Sequence, residues 1–143
     1  MNKILLGLIC VVLVSPVFSH EFSPAHLIIE EDADFKYEVT WMYPIRNLGP
    51  VNLTLPNDCQ SSSVETFQES KYLSEKISLQ CSDSIKGKDI FIKGLSILND
   101  ALVTIKFLDG ERYEGLVSVK DSKLTIPQEL QVFPTGYFML GVE

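Results

Sequence analysis

The chain has 143 residues, 45% of them hydrophobic, with 12 Lys+Arg against 19 Asp+Glu and a net charge of −7. So acidic a chain repels phosphate backbones and gains nothing from anionic headgroups, which argues against nucleic acid as a partner. Its length suits one ordinary domain with a real core.

Met1-Asn2-Lys3 carries one positive charge, Ile4 to Val14 is apolar apart from Gly7 and Cys10, and Ser15-Pro16-Val17-Phe18-Ser19 follows. A basic start, an apolar run and a small-residue exit predict a secretory signal peptide over 1–19, cleaved after Ser19. An uncleaved anchor is the alternative, but the run is shorter than the roughly 20 residues that span a membrane. Cys10 leaves with the leader, and so does Lys3, which sets 11 basic residues against 19 acidic ones, a mature charge of −8. The expected product is exported, to the periplasm or the extracellular face of a membrane, with its domain over 20–130.

Period-2 alternation dominates the chain beyond the leader. Leu27-Ile28-Ile29-Glu30 reads as a strand, Glu31-Asp32-Ala33-Asp34 as a turn, and Phe35 to Tyr43 as a long partner strand with Phe35, Tyr37, Val39, Trp41 and Tyr43 on its buried face. Val51, Leu53 and Leu55 alternate between Pro50 and Pro56, and Ser61-Ser62-Ser63 reads as a loop. A helix is the weaker expectation around Glu65 to Lys76, where Thr66, Ser70 and Ser74 disfavour it. Ile77, Leu79 and Cys81 alternate, then Ile90 and Ile92 after the Lys86-Gly87-Lys88 turn. Asp109-Gly110 between Leu102–Phe107 and Tyr113–Ser118 predicts a hairpin with a type I′ turn. Leu124-Thr125-Ile126 is a last short strand. Residues 131–143 form an apolar tail that resembles the start of a transmembrane segment. Together these predict an all-β, antiparallel β-sandwich, immunoglobulin-like in general architecture.

Cys59 and Cys81 remain after cleavage, and in an exported chain they most simply form one disulfide. A core Trp41 near such a bridge is a common sandwich arrangement. His20 and His26 are the only histidines. Cleavage before His20 would give an amino-terminal histidine able to chelate copper, with His26 as a second ligand, against the plainer reading of two ordinary polar residues. Glu30, Glu31, Asp32 and Asp34 offer hard-cation ligands or a solvated turn, and the Ca²⁺-loop pattern is absent. No nucleophile elbow, P-loop or dinucleotide fingerprint is present, so an enzyme is not expected. Asn52-Leu53-Thr54 matches the glycosylation pattern but lies within a predicted strand.

One resemblance joins these pieces. His20-Glu21-Phe22-Ser23-Pro24-Ala25, Tyr37-Glu38-Val39-Thr40-Trp41 running to Pro44, Leu55-Pro56-Asn57-Asp58-Cys59, Leu79-Gln80-Cys81, Ile92-Lys93-Gly94-Leu95, the Asp109-Gly110 hairpin and Tyr137-Phe138-Met139-Leu140-Gly141-Val142-Glu143 follow in order. In order and spacing they resemble the extracytoplasmic N-terminal region of HupE/UreJ-like membrane proteins. The resemblance implies a β domain preceding a helical membrane bundle, and a link to nickel or other transition-metal transport. The family's first membrane helix opens on Leu-Gly-Val-Glu, matched here by Leu140 to Glu143, of which Gly141 and Glu143 are the more telling. The His and Gly-x-Asp-His that follow in the family are not in this sequence. The resemblance therefore implies the outer domain, partnered by the membrane-embedded part or another envelope protein, with Ni or Cu as the metals in view and no small-molecule substrate indicated. The alternative is a free secreted β-sandwich module that binds a protein or carbohydrate.

Overall fold

Alternation decides which face each strand buries, and the result is two packed sheets. The structure is a computed structural model that describes residues 23–46, 51–96 and 99–130. The predicted leader, His20 and the 131–143 tail, with Gly141 and Glu143, lie outside the described residues. The described strands, in chain order, are β1 (Ala25–Ala33), β2 (Lys36–Pro44), β3 (Asn52–Thr54), β4 (Cys59–Glu69), β5 (Tyr72–Cys81), β6 (Asp89–Lys93), β7 (Ala101–Lys106), β8 (Arg112–Val117) and β9 (Lys123–Thr125). No helix occurs among the described residues, and so none long and apolar enough to cross a membrane.

A six-stranded sheet has the order β4-β5-β2-β1-β7-β8, and a three-stranded sheet the order β3-β6-β9. Ala25, Leu27 and Ile29 of β1, Tyr37, Val39 and Trp41 of β2, and Ala101, Val103 and Ile105 of β7 are all 0–1% exposed. They form the inner face of the larger sheet, since every second residue points the same way. Ile90 and Ile92 of β6 and Leu124 of β9 supply the facing layer. Burying each Val, Leu or Ile among them contributes roughly 1.5–3 kcal/mol, so this layer carries the fold.

The expected all-β sandwich is what the chain forms, with local corrections. The segment expected as a helix is the β4–β5 hairpin, with Thr66 paired to Glu75 and Phe67 to Ser74. Ser61 to Ser63 lie in β4 at a bulge and not in a loop. The β1–β2 turn falls at Asp34-Phe35, later than expected, and Phe35 is 38% exposed with φ +60° instead of lying on the buried face. At the Asp109-Gly110 hairpin Gly110 has φ +85° and Asp109 does not have positive φ. Gly110 N–H donates to Phe107 O at 3.0 Å and Phe107 N–H to Glu111 O at 2.9 Å, a type I turn closed by a glycine bulge and not type I′. One strand pair breaks the antiparallel expectation: β1 runs parallel to β7, from Ala25 opposite Ala101 to Glu30 opposite Lys106.

The two sheets differ in width. With strands about 4.8 Å apart, three extra strands leave roughly 14 Å of the larger sheet without a facing layer. β4 takes most of that overhang: from Gln60 to Glu69 every residue is exposed.

Candidate binding cleft

β3 and β4 are edge strands of the two different sheets. The segment Leu55 to Asp58 carries the chain from one to the other. An open cleft of about 540 Å³ lies between them. Trp41 of β2 and Ile77 and Leu79 of β5 line it, with Leu53 of β3 on one side, Ser61 and Val64 of β4 on the other, and Cys59 at the corner. This volume is within the roughly 300–1,000 Å³ of ligand clefts, and the site lies between layers, where such clefts form.

Two polar groups distinguish the cleft. The Trp41 side chain is 1% exposed, and its indole N–H has no hydrogen-bond partner. Among the described residues the Ser74 hydroxyl is the other buried side-chain polar group without a partner. A buried donor left unpaired costs about 1–3 kcal/mol, so such groups are rare and call for a physical reason. The second group is Glu75. It sits between Leu73 and Ile77 at an inward position of β5, opposite Trp41, and among the described residues is the only charged one lining the cleft. Its carboxylate accepts a hydrogen bond from the Tyr43 hydroxyl at 3.3 Å. Burial pushes the Tyr43 pKa up, and the Glu75 charge adds to the rise. The Tyr43 ring lies 5.7 Å from Trp41, so an aromatic pair stands beside the carboxylate. Among the described residues, no cation lies within ion-pair distance of Glu75.

Sequence reading singled out Trp41 as core and missed Glu75. The signal was available: in Leu73, Glu75, Ile77, Leu79 a carboxylate occupies an inward position of an apolar alternation, where charge is costly unless something answers it.

Cys59 and Cys81 do form a disulfide, between directly paired residues of β4 and β5. It links neighbours within one sheet, and Cys59 lines the same cleft as the buried Trp41. Beside it the corner is fastened by charge. Lys88 contacts both Asp58 and Asp83, and the Ser82 hydroxyl donates to Asp58 at 3.0 Å. The Lys88 partnership is the leading reason that the Asp58 carboxyl is held below its ordinary range.

His26 is half-buried on the outer face of β1. Strand register places it in a lateral row with Met42, Leu102 and Leu116, and its ring meets Tyr72 edge-on at 6.1 Å. Among the described residues no group of three or more His, Cys, Asp or Glu side chains is disposed to hold a metal ion. The carboxylates of the β1 end are dispersed to separate partners. Glu30 pairs with Lys106 and Asp32 with Lys36, while Glu31 accepts from the Leu108 N–H at 3.1 Å.

No protein-family model matches the chain, and a search of curated proteins finds no match. The disulfide is compatible with an oxidising, exported location.

Proposed function

We propose that this is a non-catalytic, extracytoplasmic binding domain that holds its ligand in the cleft between β3 and β4. The observation that carries this reading is the inward Glu75 carboxylate in the wall of an open cleft, the one charge among the described residues that line it. Trp41 is the only tryptophan of the chain, so its emission reports on the cleft alone. The test is to titrate a panel of short peptides and oligosaccharides while following Trp41 emission, and to map each binder by backbone amide shifts. The reading requires a binder whose shifts centre on Leu53, Val64 and Glu75. It fails if no member of the panel moves the emission, or if every binder maps elsewhere.

A second reading makes the same domain the outer part of a HupE/UreJ-like membrane protein, linked to nickel or other transition-metal transport. It is supported by the resemblance, whose Leu55–Cys59 and Leu79–Cys81 stretches are the two that the disulfide joins. Calorimetry with Ni²⁺, Cu²⁺ and Zn²⁺ on the mature protein tests it, beside a His20→Ala, His26→Ala double variant. Tight binding that disappears in the variant supports metal handling. Binding no stronger than background removes the metal link from this domain.

A further inference from the structure

We infer that the occupant of the cleft is an extended, basic peptide segment of a partner protein, its lysine or arginine side chain directed to Glu75. The inference rests on the binding reading above and deepens it. Two observations converge on one chemistry. First, the cleft lies between two edge strands, β3 and β4, each with a row of backbone groups outside its sheet. Such edges accept an extended chain by adding a strand. β4 is also long, at 11 residues, and carries an apolar Val64 at 58% exposure facing the same way as Ile77.

Second, among the described residues the cleft has one charge, Glu75, in an acidic chain of net −7. A cation with an apolar stem satisfies this geometry: its methylenes lie along Ile77 and Leu79 while its head meets the carboxylate, with the Trp41–Tyr43 aromatic pair alongside. A free organic amine answers Glu75 but offers nothing to the strand edges. An oligosaccharide leaves the carboxylate without a counter-charge.

The probe is the capped peptide acetyl-Thr-Val-Thr-Lys-Thr-Val-Thr-amide, compared with the same peptide carrying norleucine for lysine and with n-butylammonium alone. Trp41 emission is the readout. The expected result is that the lysine peptide binds about tenfold or more tightly than the norleucine peptide, as one charge-assisted hydrogen bond provides. Glu75→Gln should abolish that difference, whereas Glu65→Gln on the outer face of β4 should preserve it. Because the lysine–norleucine comparison is made on the native protein, it stands whether or not the Glu75 variant folds. Equal binding of the two peptides overturns the inference while leaving the cleft a binding site. Butylammonium binding as tightly as the lysine peptide overturns it in favour of a free organic cation. Failure of both peptides, with binding of an oligosaccharide mapped to the cleft, overturns the peptide and keeps the binding reading. Silence of every probe, including the wider panel, removes both.

Discussion

Cys59 and Cys81 face one another across β4 and β5 at a position where neither donates a backbone hydrogen bond to the other. The Cys81 N–H turns away to Phe35 O at 2.9 Å, and the next residue, Ser82, donates to Asp58 O at 3.2 Å. At such non-hydrogen-bonded pairs the side chains of opposed residues come closest, which is what a cross-strand bridge requires. The bridge closes 22 residues of sequence that form the exposed β4–β5 hairpin. Little apolar burial holds β4 in place, so its attachment depends on this bond more than a core strand's would.

Replacing both cysteines with alanine should therefore lower stability by about 2–3 kcal/mol, from the unfolded-state entropy that a loop of this length regains. Urea unfolding measures it. Amide exchange should show the loss concentrated in Gln60 to Glu69, with β1, β2 and β7 still protected. Uniform loss across all strands would mean that the bridge supports the whole sandwich.

Trp41 separates size from polarity. Trp41→Ala should cost about 3–5 kcal/mol, as for any large buried side chain. Trp41→Phe should stay within about 1 kcal/mol of the native protein, because deleting an unpaired buried N–H offsets most of the lost packing. If the phenylalanine variant falls as far as the alanine variant, the indole N–H has a partner in solution.

Three aspartates should set the acid limit. Hydrogen bonds from Lys88, from the Thr125 hydroxyl and from the Glu111 N–H hold the carboxyls of Asp58, Asp89 and Asp109 respectively below their ordinary 3.8. With folded pKa below unfolded, the unfolded chain binds more protons. Their stabilisation is thus complete above about pH 5 and lost as pH falls through 3.8 and on through the folded values. On the alkaline side, hydrogen bonds from Lys86 to Glu111 and Asp109 lift its pKa above 10.5, against the opposing effect of burial. For Lys88 burial acts downward, and the bonds to Asp58 and Asp83 outweigh it. The stability those lysines give is present below 10.5 and lost as pH rises through their folded values. Urea midpoints from pH 2 to 12 should show the plateau, and Asp58→Asn should flatten its acid side. An unchanged acid limb in that variant would show that the Lys88 contacts are not formed in solution.

Two turns carry opposite opportunities. Gly110 sits at φ +85° with open space around the position of an added side chain, so Gly110→Ala should cost about 1 kcal/mol through backbone conformation alone. Phe35 holds φ +60° without glycine's freedom, so Phe35→Asn should stabilise by roughly 0.5–1 kcal/mol, since asparagine tolerates that region. Thermal unfolding of both variants tests the pair. Loss of stability in Phe35→Asn would show that the ring's packing outweighs its strain.

Burial governs how much of the fold is legible in the sequence. β2, β7 and β8 are clear because a covered face forces apolar residues to every second position. β4 is opaque for the converse reason: nothing faces it, so Ser61, Thr66 and Gln68 are permitted at inward positions and no period remains to be read. The mixed Glu, Lys and Leu content of the β4–β5 segment then resembles a weak helix. The Cys59–Cys81 pairing is legible by count, but not that it lies within one sheet. The parallel β1–β7 contact leaves no local trace at all, since both strands alternate as antiparallel ones do. Of the cleft, Trp41 is visible as a buried aromatic and Glu75 only as an anomaly in its strand.

That parallel contact has a consequence for how the protein is made. Lys106 on β7 reaches Glu30 on β1 across 76 positions of chain. β1 can pair with β2 as soon as both have emerged, but its other side waits for almost the whole domain. Closure over so long a span is slow, and an open strand edge during that wait is an invitation to the wrong neighbour. Any cell producing this protein thus contends with a timing problem: yield is decided by how soon residues 101–106 arrive to cover the first strand, and a variant with excellent equilibrium stability can still be lost on the way.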